Sequence, residues 1–196
     1  MSAVPKRKLT AAEYLAIERK AEFKSEFFNG EMFAMAGASR PHNTALMNLG
    51  GEIYSRLKGG PCRPFMQDQR VVVDRTGLYT YPDLLIVCGQ VETAADDEDT
   101  ITNPRVVVEV LSPSTERYDR GAKFRNYQQV PSLTEYVLVA QDEAVCERFV
   151  RQADGTWGYT SFVGLEAVLA LTSVPVRVPL ADIYAGVEFP APPRGT

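Results

Sequence analysis

A chain of 196 residues with 45% hydrophobic, 10% aromatic and 23% charged residues has the make-up of one globular domain with a sizeable core, which excludes wholesale disorder and two full domains. Its 21 Lys and Arg against 25 Asp and Glu leave a net charge of −4, arguing against a histone-like binder that holds nucleic acid by charge alone. A single histidine, His42, excludes sites that need two imidazoles, and Cys62, Cys88 and Cys146, odd in number and without a C-x-x-C pair, predict reduced, buried thiols rather than a disulfide framework or a zinc ribbon. No apolar run approaches the ~20 residues of a membrane span, and the N-terminus has no apolar stretch after its basic residues. The expectation is a cytoplasmic protein that meets no membrane.

Residues 1–8 read as a flexible basic arm carrying Lys6, Arg7 and Lys8. Thr10 with Glu13 three positions on is a capping box, leading into a short helix from Ala11 to Lys20. Phe23 to Met35 carries aromatics on both sides of Asn29-Gly30, a hairpin-turn pair, and predicts two strands. Ser39 as cap, Pro41 in the first turn and Leu46, Leu49, Ile53 and Leu57 at helical spacing predict a helix from about Pro41 to Lys58, stopped by Gly59-Gly60-Pro61. Three strands are expected next, Cys62 to Asp74, Leu84 to Cys88 and Val106 to Leu111, with the acidic stretch Glu92 to Asp99 as a solvated loop. A helix from Asp119 to Val130 and a strand from Glu135 to Ala140 follow. Ala144 to Val150 and Trp157 to Val163 predict a hairpin around Asp154-Gly155, then a strand within Ala167 to Pro179 and a short helix from Leu180 to Ala185. The domain thus spans 9–189, and 190–196, rich in Pro and Gly, is a loose tail.

Two carboxylates stand out. Glu109 interrupts the apolar run Val106 to Leu111, and strand alternation places it on one face with Val107 and Leu111, where an unpaired carboxylate is expensive. An ion pair would satisfy it as well as a functional role would. Asp83, after Pro82 at the entrance to Leu84 to Cys88, reads alone as a turn or capping aspartate. Together, at one level of adjacent strands, the two form an oxygen-rich site suited to a hard divalent cation.

A Pro-Asp heading one strand, with a glutamate 26 positions after Asp83 inside the next, resembles the PD-(D/E)XK nuclease superfamily, as does the order of elements. More closely, Phe28-Asn29-Gly30-Glu31, Ser39 to His42, Tyr81-Pro82-Asp83, Glu109 to Thr115 and Lys123 to Tyr127 look like the Uma family of restriction-endonuclease-like proteins, over about Leu9 to Leu180. The resemblance implies an α/β restriction-endonuclease-like domain: a mixed central sheet flanked by helices, core order αβββαβ, with an N-terminal helix-hairpin and a C-terminal hairpin extension. It implies Mg²⁺, with Mn²⁺ as substitute, held by Asp83, Glu109 and the Val110 carbonyl, and hydrolysis of DNA phosphodiester bonds by a homodimer if both strands are cut. The superfamily's lysine two positions after the glutamate is absent, since position 111 is Leu111. In the Uma-like pattern the lysine comes from the next helix, and here it is Lys123, which otherwise reads as an ordinary lysine of an amphipathic helix. His42 and Glu26 match positions typical of the family and are candidates to line the site, although a capping or packing role for His42 and a surface pair for Glu26 explain them at least as well. Arg117, Arg120 and Arg125 gather positive charge for phosphates around the same helix. The other reading is a catalytically inactive nucleic-acid or protein-binding member of the same fold.

Overall fold

The computed structural model describes residues 7–190; Lys6 of the basic arm and residues 191–196 of the tail lie outside them. Arg7 pairs with Glu13, and the Lys8 ammonium donates to the Asn29 side-chain oxygen Oδ1 at 3.1 Å. Helix α1 (Ala11–Glu18) starts at the Thr10–Glu13 capping box. It is followed by the hairpin β1 (Ser25–Phe28) and β2 (Glu31–Ala34), whose turn residues Asn29 and Gly30 have φ of 52° and 85°, as a tight hairpin turn requires. Helix α2 (Arg40–Leu57) is capped by Ser39, whose hydroxyl accepts the His42 N–H at 3.2 Å.

The expected strand Cys62 to Asp74 is two strands, β3 (Cys62–Met66) and β4 (Arg70–Val73), because Gln67 takes a left-handed φ of 50° and redirects the chain between sheets. Next come β5 (Leu78–Thr80), which the sequence reading missed, and β6 (Leu84–Cys88). The acidic stretch is not a solvated loop: it forms β7 (Thr93–Ala94) and most of β8 (Asp97–Ile101), since a buried arginine, Arg70, takes up the Asp97 charge at 2.5 Å. After β9 (Val106–Val110), the expected helix is one continuous run of three pieces: α3 (Glu116–Tyr118), a π-helical turn (Asp119–Lys123) and α4 (Phe124–Tyr127). The chain ends in β10 (Glu135–Val139), the hairpin β11 (Val145–Arg151) and β12 (Trp157–Val163), the short pair β13 (Val168–Ala170) and β14 (Arg177–Pro179), and α5 (Leu180–Ile183).

The strands form two six-stranded sheets, in order β2-β1-β5-β4-β8-β7 and β12-β11-β10-β9-β6-β3, with β13-β14 apart. The second is mixed: β9 runs parallel to β10 and antiparallel to β6. Its central strands β6, β9 and β10 are buried on both faces, as near-continuous apolar strands require. Val106, Val108 and Val110 face α2 and α5 with Leu46, Leu49 and Ile183, whereas Val107 and Leu111 face Phe124, Tyr127 and the β4–β5 strands. Outermost β3 tolerates Pro64 because one of its edges needs no ladder partner. Its first residue corrects the expectation of reduced cysteines: Cys62 lies directly opposite Cys88 in the β3–β6 register, and the two form a disulfide, leaving Cys146 as the buried free thiol. Strand pairing, invisible in sequence spacing, brings them together. Among the described residues no helix is long and apolar enough to cross a membrane.

Candidate active site

The β6–β9 register pairs Leu84 with Val108, and one step further sets Asp83 opposite Glu109. Directly opposed residues of antiparallel strands share a face, with Cβ atoms ~5 Å apart. Glu109 lies on the face of Val107 and Leu111, which α4 covers, while Asp83, just before β6, stands at the strand entrance within reach of both β9 and α2. Asp83 is held at the strand end by two donors, the Val110 N–H at 2.7 Å and His42 Nε2 at 3.2 Å, both on Oδ2. His42 gets there because it is the third residue of α2, whose N-terminus abuts the strand ends.

Lys123 comes from the helix side. Its Nζ lies 2.9 Å from Glu109 Oε1, 3.3 Å from Glu26 Oε1 and 3.6 Å from Asp119 Oδ1. Tyr127, one turn on, donates to the same Glu109 oxygen at 3.1 Å, and the Thr80 hydroxyl donates to Glu26. Asp119, Lys123 and Tyr127 are four apart and form one polar stripe across the π-helical turn and α4. At the start of that wider turn the Asp119 carbonyl accepts the Tyr136 hydroxyl of β10 at 3.0 Å. Such turns recur where a helix must present functional groups out of regular phase.

The cluster is recessed: the Lys123, Glu109 and Asp119 side chains are about 5% exposed and Glu26 11%, while Asp83 at 23% is the most open. Burial raises the Glu109 carboxyl well above the ordinary carboxylate range, Lys123 opposing and Asp119 and Asp83 reinforcing the rise. Burial works against the Lys123 ammonium, but Glu109, Glu26 and Asp119 outweigh it and raise the lysine well above its ordinary value. Burial likewise raises Asp119. Three carboxylates, Glu109, Glu26 and Asp119, thus face one lysine, with Asp83 acting on Glu109 as a fourth acidic group, and a cation would relieve the excess of negative charge these groups carry when ionised. Among the described residues no three His, Cys, Asp or Glu side chains converge as a complete metal cage. The Asp83 and Glu109 carboxylates are oxygen donors of the kind that suits a hard ion keeping several waters, such as Mg²⁺.

Asp83, Glu109, Lys123, Glu26 and His42, singled out in sequence, are therefore brought together. Asp119, Tyr127 and Thr80 were missed, although the Asp119-Lys123-Tyr127 spacing was a usable signal. Leu111, where the superfamily places lysine, packs with Phe124 and Tyr127 in the apolar layer beside the site. Arg117 and Arg125 are exposed, and Arg120 is held by Glu116 at 2.7 Å and by Glu147.

A solved structure titled as a "putative nuclease belonging to DUF820" from Anabaena variabilis ATCC 29413 superposes with a TM-score of 0.75 at 17% identity, covering 92% of this chain and 99% of that one. The likeness shows the shared α/β fold. Two proteins of Synechocystis sp. strain PCC 6803, "Uncharacterized protein slr1290" and "Uncharacterized protein sll1609", are 35% and 34% identical, over 94% and 81% of this chain and 96% and 90% of their own lengths. The model of the Uma2 family, described as "Putative restriction endonuclease", matches residues 11–181. With a family model covering most of the chain and the carboxylate–lysine cluster inside the matched span, this restriction-endonuclease-like protein belongs to the Uma2 family.

Proposed function

We propose that this protein is a metal-dependent endonuclease hydrolysing DNA phosphodiester bonds. The observation that carries the reading is the meeting of Asp83 and Glu109, from adjacent strands, with Lys123 at 2.9 Å from Glu109. Asp83, Glu109 and the Val110 carbonyl would hold Mg²⁺, which when bound supplies charge that polarises a phosphate oxygen and acidifies an attacking water. The Val110 N–H and His42 fix the Asp83 carboxylate by its Oδ2, and Lys123 and Tyr127 fix Glu109 by its Oε1. Lys123 is paired with three carboxylates, which favour its charged form. It acts as a fixed positive charge facing the negative charge that builds on the phosphoryl oxygens in the transition state. Exposed Arg117 and Arg125 lie on or beside the helical run that carries it, where they would bind flanking phosphates. Cutting both strands of a duplex calls for two copies of the site, hence a homodimer.

Titration of Mn²⁺ followed by calorimetry tests the metal half of this reading. The wild type should bind one ion, and Asp83→Asn or Glu109→Gln should weaken it at least ten-fold. Equal affinity in wild type and both variants would overturn it.

A further inference from the structure

The β1–β2 hairpin presents two unlike faces. Phe27 and Met32 pack on Tyr14, Leu15 and Tyr79 beneath α1. The opposite face carries Glu26, whose carboxylate reaches Lys123, and directly across from it in the register is Phe33. Opposed residues have Cβ atoms ~5 Å apart on one side of the sheet. Phe33 therefore stands immediately beside a member of the candidate site, and Phe28, two positions after Glu26, continues the same face. Both rings meet solvent, Phe33 at 48% and Phe28 at 37% exposure, on a pair whose outer strand β2 ends its sheet. Nothing in the packing of the core requires aromatics there.

Two neighbouring features say what would cover them. Lys24, two positions before Glu26 on this face, adds a cation; its partner Asp68 is an 84% exposed side chain, and such surface pairs hold weakly and yield readily to a phosphate. The carboxylates and Lys123 are recessed, so a strand whose phosphate reached them would have to leave a flat duplex surface, and the adjoining base would lack its partner. Exposed aromatic rings with a cation beside a backbone-binding site are the elements of a stacking surface for single-stranded nucleic acid.

We propose that the Glu26 face of the β1–β2 hairpin, with Phe33 at its centre, is a stacking platform for an unpaired nucleobase, so that the strand entering the site is single-stranded at that point. The inference rests on the nuclease reading for the strand's course but not on catalysis for its test.

Fluorescence anisotropy with a labelled 12-nucleotide oligothymidylate and an abasic strand of the same length, both without divalent ions, reads the platform directly. Phe33→Ala should weaken thymidylate binding about ten-fold while changing abasic-strand binding less than two-fold; Phe33→Tyr should stay near wild type and Phe33→Leu should resemble Phe33→Ala. A thermal melt confirms that each variant is folded, as expected for a half-exposed edge position. Equal loss on both strands, or none on either, would overturn the proposal. So would a wild type that binds neither strand and whose Phe33→Ala variant falls from dimer to monomer in sedimentation, an outcome assigning this face to self-association. A protein that stacks thymidylate on Phe33 yet cuts nothing keeps the platform and loses the proposed hydrolysis; one that cuts DNA indifferently to Phe33 does the reverse.

Discussion

Lys123 is placed by three carboxylates at once, and this separates its role from that of a solvated lysine. Replacing it with alanine should lower DNA cleavage by about 10²–10³-fold, as when a fixed donor facing transition-state charge is lost. Mn²⁺ affinity, read by calorimetry, should hold within a few-fold. A folded Lys123→Ala protein that cleaves at the wild-type rate would contradict the assignment. Glu109 was legible from its strand, because a carboxylate inside an apolar run needs a reason; Asp83, alone a turn or capping aspartate, stood out only as its pair. Lys123 was read only through family resemblance: the four-residue spacing of Asp119, Lys123 and Tyr127 marks one polar stripe, but the register of that helix over β9, which aims the stripe at Glu109, leaves no local mark. Tyr127 was missed because its hydroxyl contact depends on where Glu109 lies, a long-range fact.

At the scale of elements, the acidic stretch shows how composition misleads. Asp97 looks like part of a solvated charge run, yet it is buried in β8, where Arg70, Thr100 and Arg19 surround it. Burial alone would raise its carboxyl, but the hydrogen bonds from Thr100, Arg19 and Arg70 outweigh it and hold it at about 2. A carboxyl held below its unfolded value of about 3.9 contributes stability that is fully present above that value and is lost as pH falls toward the folded one. Asp97→Asn should therefore cost about 2 kcal/mol at pH 7, and its difference from wild type in urea midpoints should shrink between pH 4 and pH 2. A pH-independent difference would show that the charge is not what holds β8 to β4. Boundaries between strands were similarly hidden: Gln67 carries no turn signature, and only its left-handed backbone marks where β3 leaves one sheet and β4 enters the other. By contrast the first hairpin, α2 and the β11–β12 hairpin were readable, because caps, Asn-Gly and periodicity act over a few residues.

For the whole molecule, the Cys62–Cys88 disulfide ties outermost β3 to β6, the strand that Asp83 precedes, across 26 positions of sequence. Closing a loop of that size restricts the unfolded chain by roughly 3 kcal/mol, so reduction should lower the urea midpoint correspondingly; an unchanged midpoint would show that the pairing needs no covalent tie. Surface charge makes a second claim on the molecule. Arg117→Ala and Arg125→Ala should each reduce the logarithmic salt slope of DNA binding by about 0.7–0.9, whereas Arg120, held by Glu116 and Glu147, should change it little. Equal slopes in all three variants would place the phosphate contacts elsewhere. The central claim, hydrolysis directed by Asp83, Glu109 and Lys123, is tested most directly by incubating end-labelled single-stranded and duplex DNA with the purified protein in Mg²⁺, and in parallel with EDTA and with Asp83→Asn. Cleavage by the wild type in Mg²⁺, abolished in both controls, is the predicted result. No cleavage under any condition, or cleavage that survives in Asp83→Asn, would contradict it.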